Sequence, residues 1–176
     1  MIHSESANRH RSLARSKGRV AVALVTVSDT RTAETDENRR FLESVLAAGG
    51  HRVADYRLIP DEPEAVSRTL DELAAGEARV LIWNGGTGIA PRDTTYDVLQ
   101  GRLEKVLPGF GEIFRMLSYA QVGAAAILSR AAAGIYRGRI VISLPGSPAA
   151  VRLAWEKLIQ PELEHLAWEV TRGKEE

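Results

Sequence analysis

No cysteine occurs in the 176-residue chain, which excludes disulfides, thiolate zinc sites and cysteine nucleophiles. The four histidines, His3, His10, His51 and His165, are scattered and form no spaced pair of the kind that a zinc site uses. No apolar run approaches the roughly 18 residues of a membrane span, and the first residues contain no hydrophobic signal region. A cytoplasmic protein with no membrane role is therefore expected. The 23 basic residues are matched by 23 acidic ones, so no global field attracts nucleic acid or an anionic surface. Aromatic residues are also scarce, and the three tryptophans, Trp83, Trp155 and Trp168, read as core or subunit-contact residues rather than stacking platforms.

What is present suits a single globular domain: 44% apolar and 26% charged residues in a chain of ordinary domain length. The charge balance is uneven. Residues 1–19 hold Arg9, Arg11, Arg15, Lys17 and Arg19 against Glu5 alone, a net +4 that the remainder cancels. That segment is polar and shows no apolar periodicity, so it reads as a basic flexible arm preceding one domain over 20–176.

Within the domain, strand-like and helix-like segments alternate. Val20 to Val27 is an uninterrupted, largely β-branched run, as in a strand covered on both faces, and it ends in Ser28-Asp29-Thr30. Asp36 is placed to cap a helix whose stripe is Phe41, Leu42, Val45 and Leu46 and which stops at Gly49-Gly50. His51 to Ile59 is a more polar, edge-like strand. Asp61 with Glu64 has the form of a capping box before the stripe Val66, Leu70, Leu73, Ala74. Arg79 to Asn84 is a short buried strand leading into Gly85-Gly86-Thr87-Gly88. Thr94 with Asp97 resembles another cap, for a helix ending near Gly101. Gly109 to Leu117 and Gly123 to Leu128 read as helical, and Ala131 to Tyr136 and Arg139 to Leu144 as strands. Ser147 then caps a helix opening with Pro148, and Pro161 breaks or restarts it. The alternation predicts a three-layer αβα sandwich around a mostly parallel sheet.

Several turns then fall where ligands of open α/β sheets bind, at the carboxyl ends of strands. Gly85, Gly86, Thr87 and Gly88 would let backbone N–H groups approach a phosphate with no Cβ in the way; a tight turn needing positive φ is the plainer reading. Pro91 occupies the third-glycine position of a dinucleotide fingerprint, and no Gly-Lys-Ser/Thr follows, so neither that fingerprint nor a P-loop is present. Asp61 and Asp93 both follow strands and could share a Mg²⁺ with substrate phosphates, or could simply be cap and turn residues. Ser147 at a helix start combines capping with anion binding, and Ser28 and Asp29 end the first strand at the same edge.

Six motifs in order, Thr26-Val27-Ser28-Asp29, Pro60-Asp61-Glu62, Gly85-Gly86-Thr87-Gly88 with Arg92-Asp93, Pro108-Gly109-Phe110-Gly111-Glu112, Leu128-Ser129-Arg130 and Leu144-Pro145-Gly146-Ser147-Pro148, resemble the MoaB/MogA family of molybdenum cofactor biosynthesis, more MoaB-like than MogA-like. The resemblance covers about residues 20–170. It implies a trimer or hexamer that transfers AMP from ATP to the phosphate of molybdopterin with Mg²⁺, releasing pyrophosphate. Under it Asp61 and Asp93 serve catalysis and the metal. Gly85 to Gly88 bind the nucleotide, and Ser28, Asp29, Ser129, Gly146 and Ser147 meet the pterin substrate. A non-catalytic pterin-binding or scaffold module, or a nucleotide hydrolase, would share the fold. One stretch departs from the family pattern: Asp36-Glu37-Asn38-Arg39 stands where members often read Asp-Thr-Ser-Gly or Asp-Lys-Gly.

Overall fold

A computed structural model describes residues 18–172. Of the basic arm expected over 1–19, all but Gly18 and Arg19 lies outside the described residues. The chain alternates β1 (Ala21–Val27), α1 (Glu37–Ala48), β2 (Arg52–Ile59), α2 (Pro63–Ala75), β3 (Val80–Asn84), α3 (Thr95–Arg102), β4 (Lys105–Val106), α4 (Pro108–Val122), β5 (Ala132–Tyr136), β6 (Arg139–Leu144), α5 (Pro148–Ala154) and α6 (Gln160–Glu169).

The six strands form one sheet in the order β2-β1-β3-β6-β5-β4. The first four are mutually parallel, whereas β5 pairs antiparallel with β6 and β4 antiparallel with β5. β1, β3 and β6 are interior and almost wholly buried, which is why their sequences carry no polar alternation. β2 is half-buried at the edge, in keeping with its mixed composition.

Alternate residues of each strand feed two cores. Val22, Leu24, Val80, Ile82, Ile140 and Ile142 pack with residues of α1, α4, α5 and α6 on one face. Ala23, Val25, Leu81, Trp83 and Val141 pack with α2 and α3 on the other. The predicted three-layer sandwich is therefore the observed one.

Some local expectations change. Neither proposed capping box forms: the N-cap of α2 is Glu62, with no side-chain bond, and Thr94 occupies the N-cap of α3 without capping it. Pro161 lies in the first turn of α6, so the helix restarts there as expected, though without a break in the helical chain. A π-helical turn over Trp155–Ile159 links α5 to α6, with the N–H of Gln160 reaching back to the Trp155 carbonyl. This wider turn lets the chain stay helical through a residue that has no N–H to donate. Gly123–Leu128 is a 3₁₀ segment, and the two-residue β4 has no sequence signal.

Parallel register brings the site together. Val27 is paired with Ile59, Thr26 with Asn84, and Asn84 with Leu144, so four loops leave the sheet at one edge. Those loops begin at Ser28, Pro60, Gly85 and Pro145, and they carry most of the singled-out residues.

Candidate active site at the carboxyl edge of the sheet

The glycine loop is built between fixed walls. Gly85 has φ +102, and a Cβ there would collide with the carbonyl oxygen of Val27. Gly86 has φ +64, and its Cβ would strike Thr95 Oγ1 and lie 2.5 Å from Asp61 Oδ2. A Cβ on Gly88 would run into the Asp93 carboxylate. The tight-turn reading holds at Gly85 and Gly86, where positive φ and steric contact act together, whereas Gly88 is constrained by steric contact alone. Asp61 and Asp93 lie on the loop's two flanks, against Gly86 and Gly88 respectively.

Hydrogen bonds orient the loop's peptide groups. The N–H of Gly85 donates to Leu144 O at 3.1 Å, and Gly86 O accepts from the N–H of Tyr96 at 3.3 Å. Arg130 takes the next two carbonyls, through Nε to Thr87 O at 3.0 Å and a terminal nitrogen to Gly88 O at 2.5 Å. Its guanidinium also forms a bidentate pair with Asp97, at 2.9 and 3.0 Å, and lies 4.7 Å over the Tyr96 ring. In a trans peptide the N–H points opposite to the preceding carbonyl. With the carbonyls of Gly86, Thr87 and Gly88 held by Tyr96 and Arg130, the N–H groups of Thr87, Gly88 and Ile89 point away from those anchors. Among the described residues no hydrogen bond engages those three donors. Successive unengaged N–H groups of this kind can form an anion-binding concavity.

Asp61 is the N-terminal cap of a helix distant from it in sequence. Its Oδ1 accepts from Thr94 N (3.2 Å), Thr94 Oγ1 (3.0 Å), Thr95 N (3.1 Å) and Thr95 Oγ1 (2.9 Å). Asp93 closes its own turn, accepting from the N–H of Ala90 at 3.0 Å while its N–H donates to Ala90 O at 2.9 Å. Each carboxylate keeps a second oxygen outside these bonds. Two carboxylates each with a free oxygen are the donors that Mg²⁺ takes, its shell being completed by phosphate oxygens and water. Among the described residues no group of three or more His, Asp or Glu side chains is placed to hold a metal ion.

The other singled-out residues occupy the same rim. Ser28 turns back on its loop, its Oγ accepting from the N–H of Thr30 and of Arg31 at 3.3 and 3.1 Å. Asp29 is paired with Arg92, which ties the first loop to the segment after the glycine loop. Gly146 backs directly onto Gly85: a Cβ on Gly146 would sit 3.1 Å from the Gly85 Cα. Ser147 caps α5 by accepting from the N–H of Ala150, as expected from sequence. Ser129 is half-buried beside Arg130, and the Thr87 side chain is buried under the loop.

Reading the sequence misses a buried polar chain behind this rim. Asp36 is fully buried; besides the N–H of Arg39 it accepts from Thr26 Oγ1 at 2.5 Å and from the Tyr56 hydroxyl at 3.0 Å. Asn84 donates to Val25 O and Thr26 Oγ1, both at 3.1 Å, and accepts from Asn38 at 2.7 Å. Asn38 and Arg31 both donate to Gly146 O, at 2.9 and 3.0 Å. The available signals were a polar residue ending an otherwise apolar strand (Asn84) and the unusual Asp36-Glu37-Asn38-Arg39 segment. Arg130 was likewise visible only as part of a motif.

Comparison with known proteins agrees with this geometry. Residues 23–165 match the family model described as a probable molybdopterin binding domain. The chain belongs to this family. Molybdenum cofactor biosynthesis protein B of Halalkalibacterium halodurans is 45% identical over 158 residues, covering 88% of this chain and 92% of that protein. The same-named protein of Bacillus subtilis is 46% identical over 161 residues, with the same coverage of each. Among solved structures, a molybdenum cofactor biosynthesis protein B is similar with TM-score 0.84 and 43% identity, over 88% of this chain and 97% of that one. The tungsten cofactor synthesizing protein MoaB of Pyrococcus furiosus follows at TM-score 0.78 and 34% identity, over 86% and 97%. MoaB/MogA membership, expected from the six motifs, is thereby shown.

Proposed function

We propose that the protein acts in molybdenum cofactor biosynthesis as a molybdopterin adenylyltransferase in the cytoplasm, using ATP. The observation that carries this reading is the peptide orientation of the glycine loop, whose three outward N–H groups suit a polyphosphate. A terminal phosphate oxygen of molybdopterin attacks the α-phosphorus of ATP in line. A new P–O bond forms as the bond between the α-phosphorus and its bridging oxygen breaks, and pyrophosphate leaves with that oxygen. No side-chain nucleophile is needed, so positioning and electrostatic stabilisation supply most of the rate. Asp61 and Asp93 would hold Mg²⁺, which would supply charge neutralisation at the phosphates. Gly85 to Gly88 orient the nucleotide, while Ser28, Asp29, Ser129, Gly146 and Ser147 face the pterin substrate from the surrounding loops.

The reading includes a homo-oligomer, a trimer or hexamer. Ile113, Met116, Tyr119 and Val122 recur every third residue on the solvent side of α4 and continue into Ile127 and Leu128, an apolar strip that water alone would not favour.

Incubation with ATP, Mg²⁺ and molybdopterin tests the activity. An AMP-modified pterin and pyrophosphate are expected from the wild type and neither from Asp61→Asn or Asp93→Asn. Wild-type turnover in either variant removes that aspartate from the mechanism. Tight pterin binding with no nucleotide binding in calorimetry would make the protein a non-catalytic carrier or scaffold instead, and product release without a pterin acceptor would make it a hydrolase.

A further inference from the structure

Asn38 lies in the first turn of α1, in the stretch that departs from the family's usual spelling, and is 1% exposed. A primary amide has two N–H donors, and here both are used on different loops. One reaches Asn84 Oδ1 at 2.7 Å, on the last residue of β3; the other reaches Gly146 O at 2.9 Å, in the turn after β6. Asn84 is equally buried and is itself held by donating to Val25 O and Thr26 Oγ1. Thr26 in turn donates to Asp36, the residue that caps α1 by accepting from the N–H of Arg39. The bonds therefore run from the α1 cap through the ends of β1 and β3 and back to α1, with one branch to Tyr56 on β2 and another to Gly146.

That branch ends against the glycine loop. A Cβ on Gly146 would lie 3.1 Å from the Gly85 Cα and 3.5 Å from its nitrogen, so any advance of the turn pushes Gly85 directly. Val27 O also crowds Gly85, filling the space a Cβ there would need. Asn84 is also the residue that enters the loop. One side chain thus grips the loop's origin and the turn packed on it, from a depth no substrate reaches.

We infer that Asn38 is a positioning residue for the glycine loop, setting the spacing between the end of β3 and the turn at Gly146. The inference rests on the reading of Gly85 to Gly88 as the nucleotide loop. Alanine at this position leaves the buried Asn84 Oδ1 without its donor and the half-buried Gly146 O with Arg31 alone, and aspartate puts oxygen against oxygen at the same place.

The test compares full-length wild type with Asn38→Ala and Asn38→Asp by hydrogen exchange of the Gly85 amide and by ATP affinity in calorimetry with Mg²⁺. Loss of a buried hydrogen bond worth roughly 1–2 kcal/mol predicts about tenfold faster exchange at Gly85 than the core strands show, and about tenfold weaker ATP binding. KM for ATP is expected to rise more than kcat falls. A merely structural role would speed all amides together and leave ATP affinity unchanged well below the melting temperature. Should Asn38→Ala fail to fold, Arg31→Ala removes the second donor to Gly146 O from a half-buried position, with about a threefold effect in the same direction as expected for a weaker bond. Faster exchange at Gly85 in a protein that never binds ATP sinks the nucleotide reading and keeps the positioning role. Equal ATP affinity and equal Gly85 exchange in wild type and variants sink the positioning role and keep the nucleotide reading.

Discussion

Asp61 holds Thr95 from across the sheet edge: one carboxylate oxygen accepts both the backbone N–H, at 3.1 Å, and the hydroxyl, at 2.9 Å. The same oxygen holds Thr94 in the same way. The loop after β2 therefore supplies the cap that α3 does not supply for itself. Removing a cap of this kind costs about 1–2 kcal/mol. Asp61→Ala is expected to lower the melting temperature by roughly 2–8 °C and to abolish pyrophosphate release. Asp61→Asn keeps an acceptor for the cap, so its melting temperature is expected to fall less while activity is still lost. Calorimetric melting beside a pyrophosphate assay separates the two roles; an Asp61→Ala variant melting with wild type would remove the cap.

Glycines with positive φ differ in what else constrains them, and alanine scanning can read the difference. Gly50 has φ +77 but open space around its missing Cβ, so Gly50→Ala meets only backbone strain, about 1 kcal/mol. Gly85→Ala adds a collision with the Val27 carbonyl to comparable strain and is expected to cost about 3 kcal/mol or more. Denaturant unfolding of both variants checks the order. Equal midpoints would mean that the loop relaxes freely away from β1.

Much of the site was legible because it follows from parallel pairing. Apolar runs at Val20 to Val27, Arg79 to Asn84 and Arg139 to Leu144 implied buried parallel strands, and parallel strands put their following turns on one edge. Asp61, the glycine loop and Ser147 were accordingly expected near one another. What escaped was chosen by distance in space. The Asp61 and Glu64 pattern looked local, yet the carboxylate turns to Thr94 and Thr95, over thirty residues on. Asn38, Asn84 and Gly146 meet only through the fold, and no spacing encodes it. The π turn before Pro161 was hidden because periodicity counts residues, not how a helix widens to accommodate a proline.

The buried end of the polar chain gives a pH prediction. Burial is the main cause, and the bond to Asp36 the next, that pushes the Tyr56 phenol up to about 12 from an ordinary value near 10. The fold favours the neutral phenol, so this contribution to stability is fully present below pH 10 and drains away as the pH rises towards 12. Ultraviolet titration of wild type minus Tyr56→Phe is expected to isolate a late phenol, and the variant's melting temperature is expected to fall less steeply across that interval. A difference curve centred near 10 would show the phenol to be ordinary.

The apolar strip on α4 carries the prediction about assembly. Phe114 and Ser118 point into the core from one side of the helix, whereas Met116 and Tyr119 are about two-thirds exposed on the other. Ile127, at 79% exposed, extends the strip to just before Ser129 and Arg130. A strip this long is stabilised when a second copy covers it, and the same contact would brace the segment from which Arg130 grips Thr87 and Gly88. Met116→Glu places a charge in the middle of that contact, where burial without a partner is unfavourable. Sedimentation is expected to show wild type as a trimer or hexamer and Met116→Glu as monomer, with Gln121→Glu, another exposed α4 position, remaining assembled. Adenylylation is expected to fall with assembly and to recover at high protein concentration. A wild-type chain that sediments as a monomer at micromolar concentration would leave the strip without a second copy to cover it.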